Sequence, residues 1–141
     1  MTLDDAFAAL AAAAQQVPKP LRLPTPEELS AAERDLGLPF HADYRRFQRE
    51  ASNIVCNVLE PGLVLPGLSP YRDLRRIARN GWAAGVPKDT LPFCSDNGNY
   101  YIIDGSGRVT FWDHDDGSES GQNLSLAEWI VEEWIGDDHE D

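Results

Sequence analysis

The apolar positions of this chain follow a helical period near both ends and a two-residue period in the middle. Residues 92–117, PFCSDNGNYYIIDGSGRVTFWDHDDG, carry the two-residue pattern. Two runs rich in aromatic and β-branched residues, 100–104 and 108–113, flank a Gly-Ser-Gly corner at 105–107. This reads as a β-hairpin, because glycine reaches the positive φ angles that tight turns require. Pro92-Phe93-Cys94 begins a strand before it, joined through the polar turn Ser95-Asp96-Asn97-Gly98-Asn99. The hairpin is expected at the centre of a sheet. An acidic loop, residues 114–119, follows it.

The helical signals come with start and stop residues. Thr2 caps a first helix with Asp5 as reciprocal partner; Phe7, Leu10, Ala11 and Ala14 form its apolar side, and Pro18 and Pro20 end it. In Thr25-Pro26-Glu27-Glu28, Thr25 is the cap, Pro26 takes the first helical position and Glu28 closes the capping box; Leu29, Ala32 and Leu36 face inward and Gly37 stops the helix. Residues 43–50 continue as a short helix buried through Tyr44 and Phe47. Residues 54–59 read as a strand by β-branched content, and 63–65 as a second after the Glu60-Pro61-Gly62 turn. Ser69-Pro70 opens a helix running to about residues 80–81, with Leu74, Ile77 and Ala78 inward. A last helix starts at the Ser125/Glu128 capping box, packs through Leu126, Trp129, Ile130 and Trp134, and ends at Gly136. The fold class is α+β: a single domain over 1–141, with a mainly antiparallel central sheet, helices packed around it and a mobile acidic tail at 137–141.

Composition narrows the class further. A chain of 141 residues, 42% hydrophobic and 26% charged, is long enough to bury a core without staples. No run approaches the roughly 18–20 apolar residues of a membrane-spanning helix. The Ala-rich stretch at 8–14 follows Asp4 and Asp5, where a signal peptide carries positive charge, so it reads as a helix. Cys56 and Cys94 have no metal-ligand spacing and read as buried thiols of a reducing, cytoplasmic protein.

Charge is unevenly placed. Residues 1–90 hold eleven acids and eleven Lys or Arg, whereas 91–141 hold thirteen acids against Arg108, so the last third carries the whole net charge of −12. A field of one sign speeds encounter with a basic partner and repels nucleic acid and anionic membrane. Arg72, Arg75, Arg76 and Arg79 share one helical face, but no aromatic residues interleave them for stacking on bases; the face reads as solvated or acid-paired.

Catalytic motifs are absent. There is no Gly-x-Ser-x-Gly, no phosphate-binding glycine loop, and no base near either cysteine in sequence. The acidic loop fails the EF-hand pattern, with Gly117 and Leu124 where that loop needs other residues, and one histidine with carboxylates is thin for zinc; His41 and His139 lie far away. The reading is therefore neither an enzyme nor a metal or cofactor protein.

A helix starting Thr25-Pro26-Glu27-Glu28-Leu29 and ending in Gly37, followed by a helix with Asp43-Tyr44 and Phe47, resembles the start of the SMI1/KNR4 (SUKH) superfamily. The resemblance continues through Asp96, Gly98, Tyr100-Tyr101, Asp104, Gly107, Val109 and Trp112-Asp113-His114, and covers about residues 25–135. The chain departs from the family at Phe40-His41, where Leu-Pro is usual, and at Asn53-Ile54, where an Asn-Gly-Gly turn is common.

The resemblance implies an immunity protein of bacterial type. Such a protein binds a cognate polymorphic toxin domain, often a basic nuclease or another toxin that modifies nucleic acid. It would act in the cytoplasm, without cofactor, without direct nucleic-acid or membrane contact, and as a monomer in preference to an oligomer. The partner surface expected is Asp96, Asn97, Asn99, Asp113, His114, Asp115, Asp116 and Glu119, with Tyr100 and Trp112 as anchors if half exposed. The alternatives are a regulatory scaffold like the eukaryotic members associated with cell-wall signalling, and a small metal-dependent enzyme using the acidic loop.

Overall fold

Three Ser/Thr–acid pairs set where helices begin. In the computed structural model, which describes residues 1–136 with the side chains of 120–122 excepted, each predicted capping box is made. Thr2 with Asp5 starts α1 (Leu3–Ala13), Thr25 with Glu28 starts α2 (Pro26–Leu36), and Ser125 with Glu128 starts α5 (Leu126–Trp129). Each pair satisfies two of the amide donors that a helix start leaves unbonded. Gly37, at φ +70°, ends α2 in the left-handed conformation. In α3 (Ala42–Glu50) the cap is His41, whose Nδ1 accepts the Asp43 amide at 3.0 Å. In α1 the buried residues are Ala6 and Leu10, while Ala11 and Ala14 are exposed. The tail at 137–141 lies outside the described residues, as does His139.

Four strands form one antiparallel meander in the order β1-β2-β3-β4: β1 (Leu91–Asp96), β2 (Asn99–Ile103), β3 (Arg108–Asp113) and β4 (Ser118–Ser125). Asn97 (φ +52°) and Gly98 (φ +88°) make the two-residue β1–β2 turn. Positive φ at both positions is what such turns demand and what Asn-Gly supplies. The β4 strand is not foreshadowed by its sequence, SESGQNLS, which is polar; of its described side chains Leu124 alone is buried.

Alternation along β2 and β3 sends side chains to two covered faces. Tyr101, Ile103 and Val109 join Phe93, Tyr44, Phe47, Trp129 and Trp134 on the first. Tyr100, Ile102 and Trp112 join Ile77 and Val86 on the second, under α4 (Leu74–Ala84). The first face is aromatic: ring centroids lie 4.9 Å apart for Phe93–Trp129 and 5.4 Å for Tyr101–Trp129. After Trp129 the helix widens into a π-helical turn, Ile130–Ile135. At 3.6 residues per turn a five-residue spacing would splay Trp129 and Trp134 by about 140°. The wider turn keeps both indoles inward, 6.1 Å apart.

Four expectations are corrected. Residues 54–59 form no strand. The Val55 carbonyl accepts from Gln15 and the Cys56 carbonyl from the Trp134 indole, while Asn57 (φ +51°) donates its amide to the end of the last helix. These backbone groups are bonded to helix ends and linkers, not to a ladder. Residues 63–65 make one parallel bridge, Leu63 with Asp73, and no strand. Buried Gln48 secures this loop, donating to the Gly62 carbonyl at 2.8 Å. That same bridge delays the next helix: residues 69–73 are spent in a turn, and Asp73, not Ser69, caps α4. Finally, α4 runs past the expected end at about 80–81, to Ala84. No helix among the described residues is long and apolar enough to cross a membrane. Cys56 and Cys94 are buried and no disulfide joins them; burial, with the charge of Asp96 adding to it, pushes the Cys94 thiol up to about 12.

Candidate functional site: the acidic end of the sheet

A four-stranded meander puts its first and third turns at one end and its second turn at the other. The β1–β2 turn carries Asp96, Asn97 and Asn99; the β3–β4 turn carries Asp113, His114, Asp115 and Asp116. The two turns touch. The Asn99 side-chain oxygen accepts the His114 backbone N–H at 3.0 Å and lies 2.6 Å from His114 Nδ1. The His114 ring lies over Gly98, where a Cβ would sit 3.3 Å from its Cε1 and Nδ1.

The lone arginine of this third of the sequence is turned away. Arg108 lies beside the opposite, β2–β3 turn and pairs with Asp104 at 3.2 Å. The Asp104 carboxyl titrates below its ordinary value. Burial raises it, but bonds from Ser106 and from the Arg108 amide, with the nearby guanidinium, outweigh that effect. No lysine or arginine is thereby left among 91–136 to neutralise Asp96, Asp113, Asp115 and Asp116.

Not every expected residue belongs to this surface. Tyr100 and Trp112 are 9% and 2% exposed, in the core beneath α4, so neither can anchor a partner. Glu119 extends along the second sheet face, where it accepts from Thr110 Oγ1 at 3.2 Å. There, with Asp89, Asp104, Arg108 and Thr110, it lines a cleft of about 320 Å³ that runs toward the β2–β3 turn, away from the acidic end. Asp113 serves the loop itself, since its Oδ1 accepts the Asp115 amide at 2.9 Å and closes the turn. Asp115, 80% exposed, and Asp116 are the carboxylates most open to a partner.

The predicted arginine face is split. Arg72 precedes α4 and is partly buried, Arg75 pairs with Asp35 at 2.9 Å, and Arg76 and Arg79 are exposed. The exposed large aromatic that sequence reasoning passed over is Tyr71, 74% accessible on the turn before α4; no periodic pattern marks it.

Asp113, His114 and Asp115 each place one ligand atom within 4.8 Å of the others. Both histidine nitrogens already face oxygen atoms, Asn99 Oδ1 at 2.6 Å and Asp115 Oδ1 at 3.2 Å. Asn99 takes up Nδ1 and leaves Nε2 beside Asp115; exposed acidic groups cluster in this way without a metal ion as well.

Comparison with known proteins gives a consistent picture of the fold. A family model described as SMI1-KNR4 cell-wall matches residues 3–135. A crystal structure of a protein from Pseudomonas syringae pv. tomato superposes with a TM-score of 0.85 at 26% identity, covering 94% of this chain and 98% of that one. No curated protein matches the chain.

Proposed function

Starting from a chain that belongs to the SMI1/KNR4 (SUKH) family, we propose that it is a non-enzymatic immunity protein of the cytoplasm. It binds and neutralises a cognate toxin domain, a basic nuclease or other nucleic-acid-modifying domain, through the acidic end of its sheet.

The observation that carries this reading is the join between the two turns through Asn99 and His114, with Arg108 paired at the other end of the sheet. Carboxylates are brought together, and among the described residues none of Asp96, Asp113, Asp115 and Asp116 forms an ion pair with a lysine or arginine. Folding gains nothing from crowding like charges, so a binding role explains the placement better than a structural one. A basic toxin site built to hold phosphates is the complementary surface, and covering it excludes the toxin's own substrate. Long-range attraction sets the association rate, and contacts desolvated on docking set the residence time. With Tyr100 and Trp112 in the core, the anchors come from the partner's side or from outside the hairpin.

Co-expression tests this reading. The chain is produced in cells together with a basic nuclease-type toxin domain chosen from any gene that neighbours its own. Survival of those cells, and a complex of the two purified proteins, is the expected result. Continued killing in the presence of soluble, folded chain that forms no complex contradicts it.

A further inference from the structure

We infer that His114 is the positioning residue of the acidic end, held by Asn99 in the Nδ1–H tautomer so that two loops present their carboxylates as one surface. The binding half of this inference rests on the proposed function; the structural half stands without it.

The argument turns on which atoms can donate. Asn99 Oδ1 accepts the His114 backbone N–H at 3.0 Å, and a backbone N–H only donates. The oxygen is therefore the atom that faces His114, and the amide cannot be flipped. His114 Nδ1 lies 2.6 Å from the same oxygen, so it must carry a hydrogen. In the neutral ring Nε2 is then bare. That nitrogen lies 3.2 Å from Asp115 Oδ1, and it can hold that carboxylate only with a second proton. The neutral ring thus fastens the β3–β4 turn to the β1–β2 turn while leaving Asp115 to the solvent.

The glycine beneath the ring permits this. A Cβ at position 98 would press to 3.3 Å on the imidazole, and its φ of +88° already favours glycine. One side chain on β2, one ring on the neighbouring β3–β4 turn and one bare backbone position between them make a single brace. Its effect on binding is preorganisation: Asp96, Asp115 and Asp116 meet a partner at a fixed spacing, with less ordering left to do on contact.

Nitrogen-detected NMR of the histidine rings in the free protein tests the brace, at about pH 8.5, where histidine is neutral. The wild-type His114 ring should show the Nδ1–H tautomer. Asn99→Ala should return it to the Nε2–H form that free histidine prefers and speed exchange of the His114 amide. Asn99→Asp, which keeps an acceptor at the same place, should retain the Nδ1–H form. An Nε2–H ring in the wild type, or identical ring spectra in wild type and Asn99→Ala, overturns the inference.

Binding to the toxin domain supplies the second readout. Asn99→Ala should raise Kd by about 3–10-fold, the cost of ordering a side chain or two at the interface. A changed tautomer with unchanged Kd overturns the positioning role. If Asp115→Lys and Asp116→Lys are also without effect on Kd, the failure belongs to the proposed function and not to the brace.

Discussion

Gly81 in α4 faces Pro92 in β1 so closely that a Cβ at position 81 would fall 2.7 Å from the proline Cβ and Cγ. A glycine inside a helix ordinarily costs about 1 kcal/mol relative to alanine. Here it lets the helix lie directly on the sheet. Gly81→Ala should therefore destabilise by about 1–3 kcal/mol despite its better helix propensity, because overpacking outweighs the propensity gain. Urea unfolding measures this; a stabilised variant would mean that helix and strand separate without cost.

Asn57 combines a left-handed backbone, φ +51°, with side-chain bonds to the last helix. Asn57→Gly loses the bonds but keeps an easy backbone. Asn57→Ala loses both, and should be less stable than the glycine variant by about 1 kcal/mol. The order of the two midpoints in thermal or urea unfolding checks the assignment.

Glu28 accepts both terminal nitrogens of Arg22 at 2.8 Å and the Thr25 amide at 2.9 Å. The guanidinium bond first, and the amide bond after it, lower its carboxyl from 4.5 to about 2. A carboxyl depressed in the folded state stabilises fully above its ordinary value, and the contribution is lost as pH falls toward the lowered one. Glu28→Gln should flatten the acid side of the Tm-against-pH curve between about pH 5 and 2 and leave its slope near neutrality unchanged. A parallel downward shift of the whole curve would assign Glu28 a purely structural role.

Cys94 is buried, with its thiol pushed up to about 12, and Cys56 is buried beside the last helix. Since the thiolate is the reactive form, neither thiol should react with a maleimide or disulfide reagent at pH 8 until the protein unfolds. Labelling rates that follow global unfolding are expected. Rapid labelling of the native protein would place one of the thiols at the surface.

Local chemistry makes much of this fold visible in the sequence. Capping boxes act within four residues, and the 105–107 corner sits between strands that its own glycines permit, so Thr2, Thr25, Ser125 and the hairpin are found where the pattern puts them. The failures share a cause. Ile54 and Val55 look like strand residues, yet their neighbours bond helix ends that only tertiary packing brings near. The polar β4 is held by register to β3 and announces itself through Leu124 alone among its described side chains. At the candidate site, the concentration of acids is plain in the sequence, and their meeting at one end follows from the meander. The burial of Tyr100 and Trp112 depends on α4 crossing the second face, which no local pattern reports. Nor does spacing reveal that Asp113 closes its own turn.

The association rate of the toxin domain with an Asp96/Asp115/Asp116→Lys variant, measured at low and at physiological ionic strength, tests the central claim most directly. Asp113 is left in place because its side chain shapes the turn. Charge reversal should slow association by about tenfold or more at low salt, and the gap from wild type should narrow as salt screens the field. An association rate equal to that of the wild type at low salt would contradict a role for the acidic end in recognising its partner.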